Sequence, residues 1–187
     1  LHILAYELHE GGDLSRHLAP DAAQLTLSEL IRIGTEVGTA IDELWDNRIV
    51  HRDIKPQNIV SGPSGCIVVD LALARHVDRS DITLVGAPGT TGFRSPEHAL
   101  GRRSLTVHSD AFSLGVTLYQ LATKRHPFGG RDLVIPASVN LDLLTARGDL
   151  SSEFVSTIGQ MLAFRPARRP SRIAERFAAM GGCDVRA

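Results

Sequence analysis

The chain has 187 residues, enough for one domain or a large part of one. At 43% hydrophobic and 22% charged it can bury a core, which excludes a disordered or collagen-like polypeptide. Twenty basic against twenty-one acidic side chains give a formal charge of −1; that excludes the basic excess of a general nucleic-acid binder, so no nucleic-acid partner is expected.

No apolar run approaches the roughly 18 residues that span a bilayer. The strongest, Cys66 to Ala74, is interrupted by Asp70, so no membrane segment is expected in this chain, and no signal peptide. Cys66 and Cys183 are too few and too far apart for a disulfide framework or a zinc site, which makes a reducing, cytoplasmic setting the expectation. The first residue is Leu1 rather than Met, which suggests a fragment of a longer protein. Lys55 and Lys124 are the only lysines among many arginines, so a lysine here is unusually informative about its position.

Residues 2–8 read as a short strand stopped by Gly11-Gly12, and Asp13 can cap a short helix ahead of Pro20. From Thr26 to Asn47, Leu27, Leu30, Ile31, Val37, Ile41, Leu44 and Trp45 recur at helical spacing, and Thr26 with Glu29 makes a capping box. Gly34 and Gly38 interrupt this helix at a cost of about 1 kcal/mol each against Ala. Residues 49–50 and 59–60 flank a polar stretch, a second short strand is expected from Cys66 to Val69, and a long functional loop from Arg75 to Arg94. Residues 109–123 are apolar nearly all round, the mark of a helix covered on every side. Further helices are expected at 139–146, 151–163 and 171–180, giving one mainly α-helical unit with short β-hairpins.

Two stretches carry chemistry. His51-Arg52-Asp53-Ile54-Lys55-Pro56-Gln57-Asn58 packs an acid, a cation and an amide into one irregular turn, and Val68-Val69-Asp70 puts a carboxylate at a strand end. Phosphoryl transfer needs such groups together: a carboxylate to orient a hydroxyl, a cation near the moving phosphate, and oxygen ligands for Mg²⁺. An isolated Asp-x4-Asn more often caps turns; beside His51, Arg52 and Lys55 the chemical reading is the stronger one. Glu97 and Arg169 would ordinarily be unconnected surface charges. Asp110 stands in an apolar helix, where an unpaired carboxylate would be expensive. Trp45, Phe112, Tyr119 and Phe154 read as core rather than ligand contacts.

The sequence resembles the eukaryotic-type protein kinase family over essentially its whole length. The resemblance rests on five motifs in order: the loop at 51–58, the triplet Asp70-Leu71-Ala72, Gly89-Thr90 through Ser95-Pro96-Glu97, the helix Asp110 to Gly115, and Arg169-Pro170-Ser171. It implies a protein-kinase-like large lobe, with residues 1–10 as the last strand of the small lobe and hinge, and 11–187 as the large lobe. It implies Asp53, Lys55, Asn58 and Thr90 as catalytic residues, and Asn58 and Asp70 as Mg²⁺ ligands. ATP would meet Glu7, Leu8 and His9 at the hinge behind Tyr6, Asp13 at the ribose and Val60 beneath the base. His51, Glu97, Asp110 and Arg169 would be structural, with Glu97 and Arg169 paired and Asp110 bonded to backbone N–H groups of the catalytic loop. Lys55-Pro56 and Thr90 resemble the serine/threonine branch, so a protein serine or threonine is the expected substrate. Arg52 implies regulation by phosphorylation within 75–94, with Thr83 the expected acceptor and Ser80 and Thr91 next. The wording around Ser95 and Ser113 is similar to bacterial members.

Two departures qualify the resemblance. Leu71 would keep an apolar plug where the family has Phe, but Ala72 replaces a glycine that takes positive φ freely. The Gly-rich phosphate loop, the strand lysine and its glutamate partner, all parts of the family's small lobe, are not in these 187 residues. The expectation is therefore a kinase large lobe, inactive without its N-terminal lobe. The alternatives are a non-catalytic, lobe-deleted relative serving as an interaction module, and a related small-molecule phosphotransferase.

Overall fold

The structure, a computed structural model, describes residues 11–63, 65–78, 88–102 and 104–181. The strand expected at 2–8 and the hinge residues Tyr6, Glu7, Leu8 and His9 lie outside the described residues, as do Ser80 and Thr83.

Strand β1 (Gly12–Asp13) leads into a 3-10 turn over Leu14–Leu18, capped by the Asp13 carboxylate, which accepts from the Ser15 backbone N–H at 2.8 Å. Helix α1 (Leu27–Asp46) begins at the capping box: the Thr26 hydroxyl accepts from the Glu29 N–H at 3.3 Å, and the Glu29 carboxylate accepts from the Thr26 N–H at 2.7 Å. Strand β2 (Ile49–Val50) follows, then the loop that carries the chemistry, then a hairpin of β3 (Ile59–Gly62) and β4 (Gly65–Val68). β3 is the centre of a three-stranded antiparallel sheet in the order β1-β3-β4, and β2 pairs antiparallel with β5 (Arg75–His76).

Helix α2 (Pro96–Ala99) is a single turn started by Pro96 and capped by Ser95. Helix α3 (Val107–Thr123) is the centre of the molecule, with only three of its 17 residues not fully buried. That burial on every side explains why its apolar residues form no stripe. α3 packs against α1 and α5 (Ser152–Met161), and α1 packs along α6 (Ile173–Gly181). Phe112, Phe154 and Tyr119 lie in the core as expected; Trp45 is only half-buried, its ring covered by the Arg48 guanidinium 5.1 Å from the centroid.

The helix expected at 139–146 is corrected to α4, Asp142–Thr145 alone. The side-chain oxygen of Asn140 accepts from the Asp142 N–H at 2.7 Å, a local turn that competes with helix and delays its start.

Candidate active site

The loop from His51 to Asn58 is suspended between β2 and β3 and fixed from below by α3. The Asp110 carboxylate accepts from the backbone N–H groups of His51 (2.7 Å) and Arg52 (2.9 Å), so an acid that would be costly in an apolar helix is bonded to the loop. Burial pushes the Asp110 carboxyl upward, and those two N–H bonds act against it. They hold Arg52 at φ 74, a left-handed conformation that a non-glycine residue rarely adopts without such support. His51 is fully buried: its Nδ1 accepts from the Asp53 N–H at 3.3 Å, so its Nε2 is the nitrogen that donates to the Val69 carbonyl, 3.2 Å away. Lys55 is extended because Pro56 follows it, and Pro56 opens the 3-10 turn that carries Asn58.

These constraints converge on Asp53. Its Oδ2 accepts from Lys55 Nζ at 2.7 Å and from Asn58 Nδ2 at 2.9 Å. Its Oδ1 accepts from the Thr90 N–H at 2.8 Å and the Thr90 hydroxyl at 2.7 Å. Lys55 Nζ also donates to Thr90 Oγ1 at 2.7 Å, closing a ring of Asp53, Lys55 and Thr90 from segments 35 positions apart, to which Asn58 is joined through Asp53. Burial alone would raise the Asp53 carboxyl, but the Lys55 and Thr90 bonds outweigh it and hold the group below the usual carboxylate range. Asp53 is therefore ionised at neutral pH, and every lone-pair direction of its carboxylate is taken. An incoming hydroxyl must displace one of these donors. Lys55, whose side chain is 19% exposed against 5% for Asp53, is the one free to move.

Asp70 ends the hairpin and is solvent-exposed, with the Ala72 N–H 3.2 Å from its Oδ1. The hydrogen bonds of the Asn58 side chain run through Nδ2, leaving Oδ1 as its unspent oxygen. Among the described residues no group of three His, Cys, Asp or Glu side chains gathers around a point. A carboxylate plus an amide oxygen is instead the donor set that suits Mg²⁺ completed by phosphates and water. In these 187 residues Leu71 is 54% exposed, carried outward by the 3-10 turn Leu71–Leu73. The left-handed residue is Asp70 itself, at φ 65, so Ala72 is not asked for positive φ.

Asp13 and Val60 are brought together as register partners across β1 and β3, with Val60 half-buried. Glu97 and Arg169 form a buried bidentate pair at 2.7 and 3.0 Å. The remaining Arg169 donors reach the carbonyls of Ala163 (2.7 Å), His108 (2.9 Å) and Phe164 (2.9 Å), and the guanidinium lies 4.9 Å from the Phe112 ring centroid. Ser109 adds a third donor to Glu97 at 2.9 Å, a contact with no sequence signal because the two residues belong to different motifs. Arg52 is buried, and its Nε and Nη1 have no hydrogen-bond partner among the described residues. Burial and the nearby charge of Arg75 both weaken its hold on its proton.

Comparison with known proteins agrees with this arrangement. The family model described as protein kinase domain matches residues 2–179. The probable serine/threonine-protein kinase PknB of Lactococcus lactis is 32% identical over 151 residues, 74% of this chain and 24% of that protein. The serine/threonine-protein kinase PrkC of Bacillus subtilis is 33% identical over 147 residues, 78% of this chain and 22% of that protein. Mouse serine/threonine-protein kinase Nek4 is 32% identical over 170 residues, 87% of this chain and 21% of that protein. The chain thus spans a quarter or less of the length of these relatives. Among solved structures, the kinase domain of Mycobacterium tuberculosis PknI matches with a TM-score of 0.70 at 23% identity, over 94% of this chain and 63% of that one. The helical large-lobe fold expected from the sequence is the fold found, and with a family match running through every element that builds the Asp53 ring, the chain belongs to the protein kinase family.

Proposed function

We propose that this chain is the large lobe of a serine/threonine protein kinase that transfers the terminal phosphoryl group of Mg²⁺-ATP to a protein hydroxyl. The observation that carries the reading is the closed ring of Asp53, Lys55 and Thr90, with Asn58 bonded to the Asp53 carboxylate. Mg²⁺, when bound, supplies positive charge against the phosphate oxygens, and Asn58 Oδ1 and Asp70 are the residues that would hold it. The oxygen of the acceptor hydroxyl bonds to the terminal phosphorus as that phosphorus parts from the bridging oxygen of ADP. Asp53 orients the hydroxyl and receives its proton. Because its carboxyl is held below the ordinary range, it is a weak base, and positioning is its main contribution. Lys55, released from Asp53 as the hydroxyl enters, is free to follow the phosphoryl group. Thr90 retains its backbone N–H bond to Asp53 and so ties the segment after Gly89 to the reacting atoms.

Asp13 and Val60 are the nucleotide-contacting residues of this reading, with the hinge at Glu7, Leu8 and His9 and an N-terminal lobe completing the site. Regulation through Arg52 is part of the same proposal: its buried Nε and Nη1, without a hydrogen-bond partner among the described residues, suit a phosphate carried by the 75–94 segment, with Thr83 as the acceptor. No helix of the described residues is long and apolar enough to cross a membrane, and a cytoplasmic setting fits the cysteine usage.

The test is phosphate transfer from Mg²⁺-ATP to a protein acceptor by the full-length protein. Asp53→Asn should reduce turnover by about 10² to 10⁴ while nucleotide binding stays near wild type. Asp70→Asn should instead weaken Mg²⁺-dependent nucleotide binding. Wild-type turnover in both variants would overturn the assignment.

A further inference from the structure

A groove of about 900 Å³ lies between the segment that joins α3 to α4 and the α5 helix with the turn that follows it. Its apolar side is built by Val139, Leu141, Leu162 and Phe164, all half-buried or buried. The segment is held firmly at that wall: a Cβ on Gly159 would lie 2.9 Å from Leu141 Cδ1, and the Tyr119 hydroxyl donates to the Asn140 carbonyl at 3.0 Å. No Asp or Glu lines the groove. Arg165 and Arg168 do line it, both exposed, and neither side chain has a hydrogen-bond or ion-pair partner among the described residues. The other arginines between 165 and 176 are all engaged: Arg169 with Glu97, Arg172 with Asp46 at 2.9 Å, and Arg176 with the Gln160 side-chain oxygen at 3.0 Å.

The wall offers backbone as well. No N–H or C=O group of residues 133–139 makes a hydrogen bond among the described residues, and the side chains of Val134 and Ile135 beside them are exposed. An unpaired row of backbone groups next to apolar surface is the template to which an extended chain adds. Three chemistries thus meet in one groove: an apolar wall, two unopposed positive charges and open backbone groups. A free anion would engage the arginines alone, and an acyl chain the apolar wall; only a polypeptide also answers the unpaired backbone. We infer that the groove docks an extended acidic segment of a partner protein. Its apolar side chains would pack on Val139, Leu141, Leu162 and Phe164, and its carboxylates would take Arg165 and Arg168. No residue bonded to the Asp53 side chain lines the groove, so a partner is held there without touching the reacting groups.

The test reads binding and so stands apart from the kinase reading. A displayed library of random heptapeptides is selected on the full-length protein, and the recovered sequences are measured as fluorescein-labelled peptides by anisotropy. They should alternate Asp or Glu with Leu, Ile, Val or Phe. The double variant Arg165→Ala with Arg168→Ala should lose about tenfold or more in affinity, the scale of one hydrogen bond to a charged group, and added salt should weaken wild-type binding. Ser138→Glu, which sets a like charge on an exposed residue of the groove, should weaken it too. All three positions are exposed, so thermal midpoints should stay at the wild-type value, and either variant decides the matter if the other fails to fold. No enrichment, recovered sequences without acidic residues, or equal affinity for wild type and both variants would overturn the inference. So would a dimer dispersed by Ser138→Glu, which gives the groove to a second copy of this chain. Binding to phosphatidylglycerol vesicles that the double variant loses, with no peptide enriched, would overturn it in favour of a membrane.

Discussion

A buried histidine without a partner makes a fold sensitive to acid. His98 is 3% exposed and its Nε2 has no hydrogen-bond partner among the described residues. Burial, reinforced by Arg52 and Arg94, lowers its pKa to about 4. Between that value and its ordinary 6.5 the unfolded chain binds a proton that the folded chain refuses, so stability rises with pH across the window and falls as the solution is acidified through it. The loss attributable to this one group is about 3 kcal/mol once the window has been crossed. His98→Gln should shrink the difference in urea-unfolding free energy between about pH 7 and about pH 4.5; an unchanged difference would remove His98 from the account. Glu97 has the same direction of dependence, in a more acidic window. Burial would raise its carboxyl, but Arg169 holds it below the ordinary range, so its contribution is present above about pH 4.5 and disappears only as acid takes the carboxylate itself. Arg169→Ala strands Glu97 and should cost about 3–5 kcal/mol in thermal or urea unfolding. The double variant with Glu97→Ala should cost clearly less than the sum of the single losses, whereas simple additivity would mean that the pair does not interact.

Two glycines inside a 20-residue helix look like defects until α6 is in place. A Cβ on Gly34 would sit 2.7 Å from the Phe177 ring, and one on Gly38 would sit 2.9 Å from the backbone nitrogen of Ala174. The glycines give up helix propensity so that α6 can lie directly on α1. The Asp42 carboxylate, one turn on, caps the start of α6 by accepting from the N–H groups of Ile173 (2.9 Å) and Ala174 (3.0 Å). Burial pushes that carboxyl upward, against the pull of those bonds. Gly34→Ala should therefore destabilise the protein despite gaining about 1 kcal/mol of helix propensity, since overpacking a filled site costs about 1–3 kcal/mol. Calorimetry is the check, with Phe177→Ala as the partner variant. Adding Gly34→Ala to Phe177→Ala should cost nothing further, and a raised midpoint for Gly34→Ala alone would contradict the packing account.

For the molecule as a whole, residues 1–187 expressed alone are expected to show no phosphate transfer above an Asp53→Asn blank. The described groups approach a phosphate from one side, and the 187 residues contain no Gly-x-Gly-x-x-Gly loop to cover it. Activity well above the blank would make this chain an enzyme in its own right. Local chemistry was legible without coordinates. The capping box at Thr26 and Glu29, the helix between Thr26 and Asn47, the all-round apolar helix over 109–123 and the spacing of Asp53, Lys55 and Asn58 depend on residues within a few positions of one another, and neighbours in sequence constrain one another through backbone geometry alone. Asp110 could be singled out because a charge in an apolar helix demands a partner, whereas the pairing of Glu97 with Arg169 followed only from the family resemblance. What only the tertiary structure decided is long-range: Gly34 against Phe177, Asp42 on the end of α6, and the grip of His126 and Asp132 on Gly92. Those contacts join residues about 30 to 140 positions apart, and nothing in local propensity or periodicity reports which distant surfaces packing will bring together.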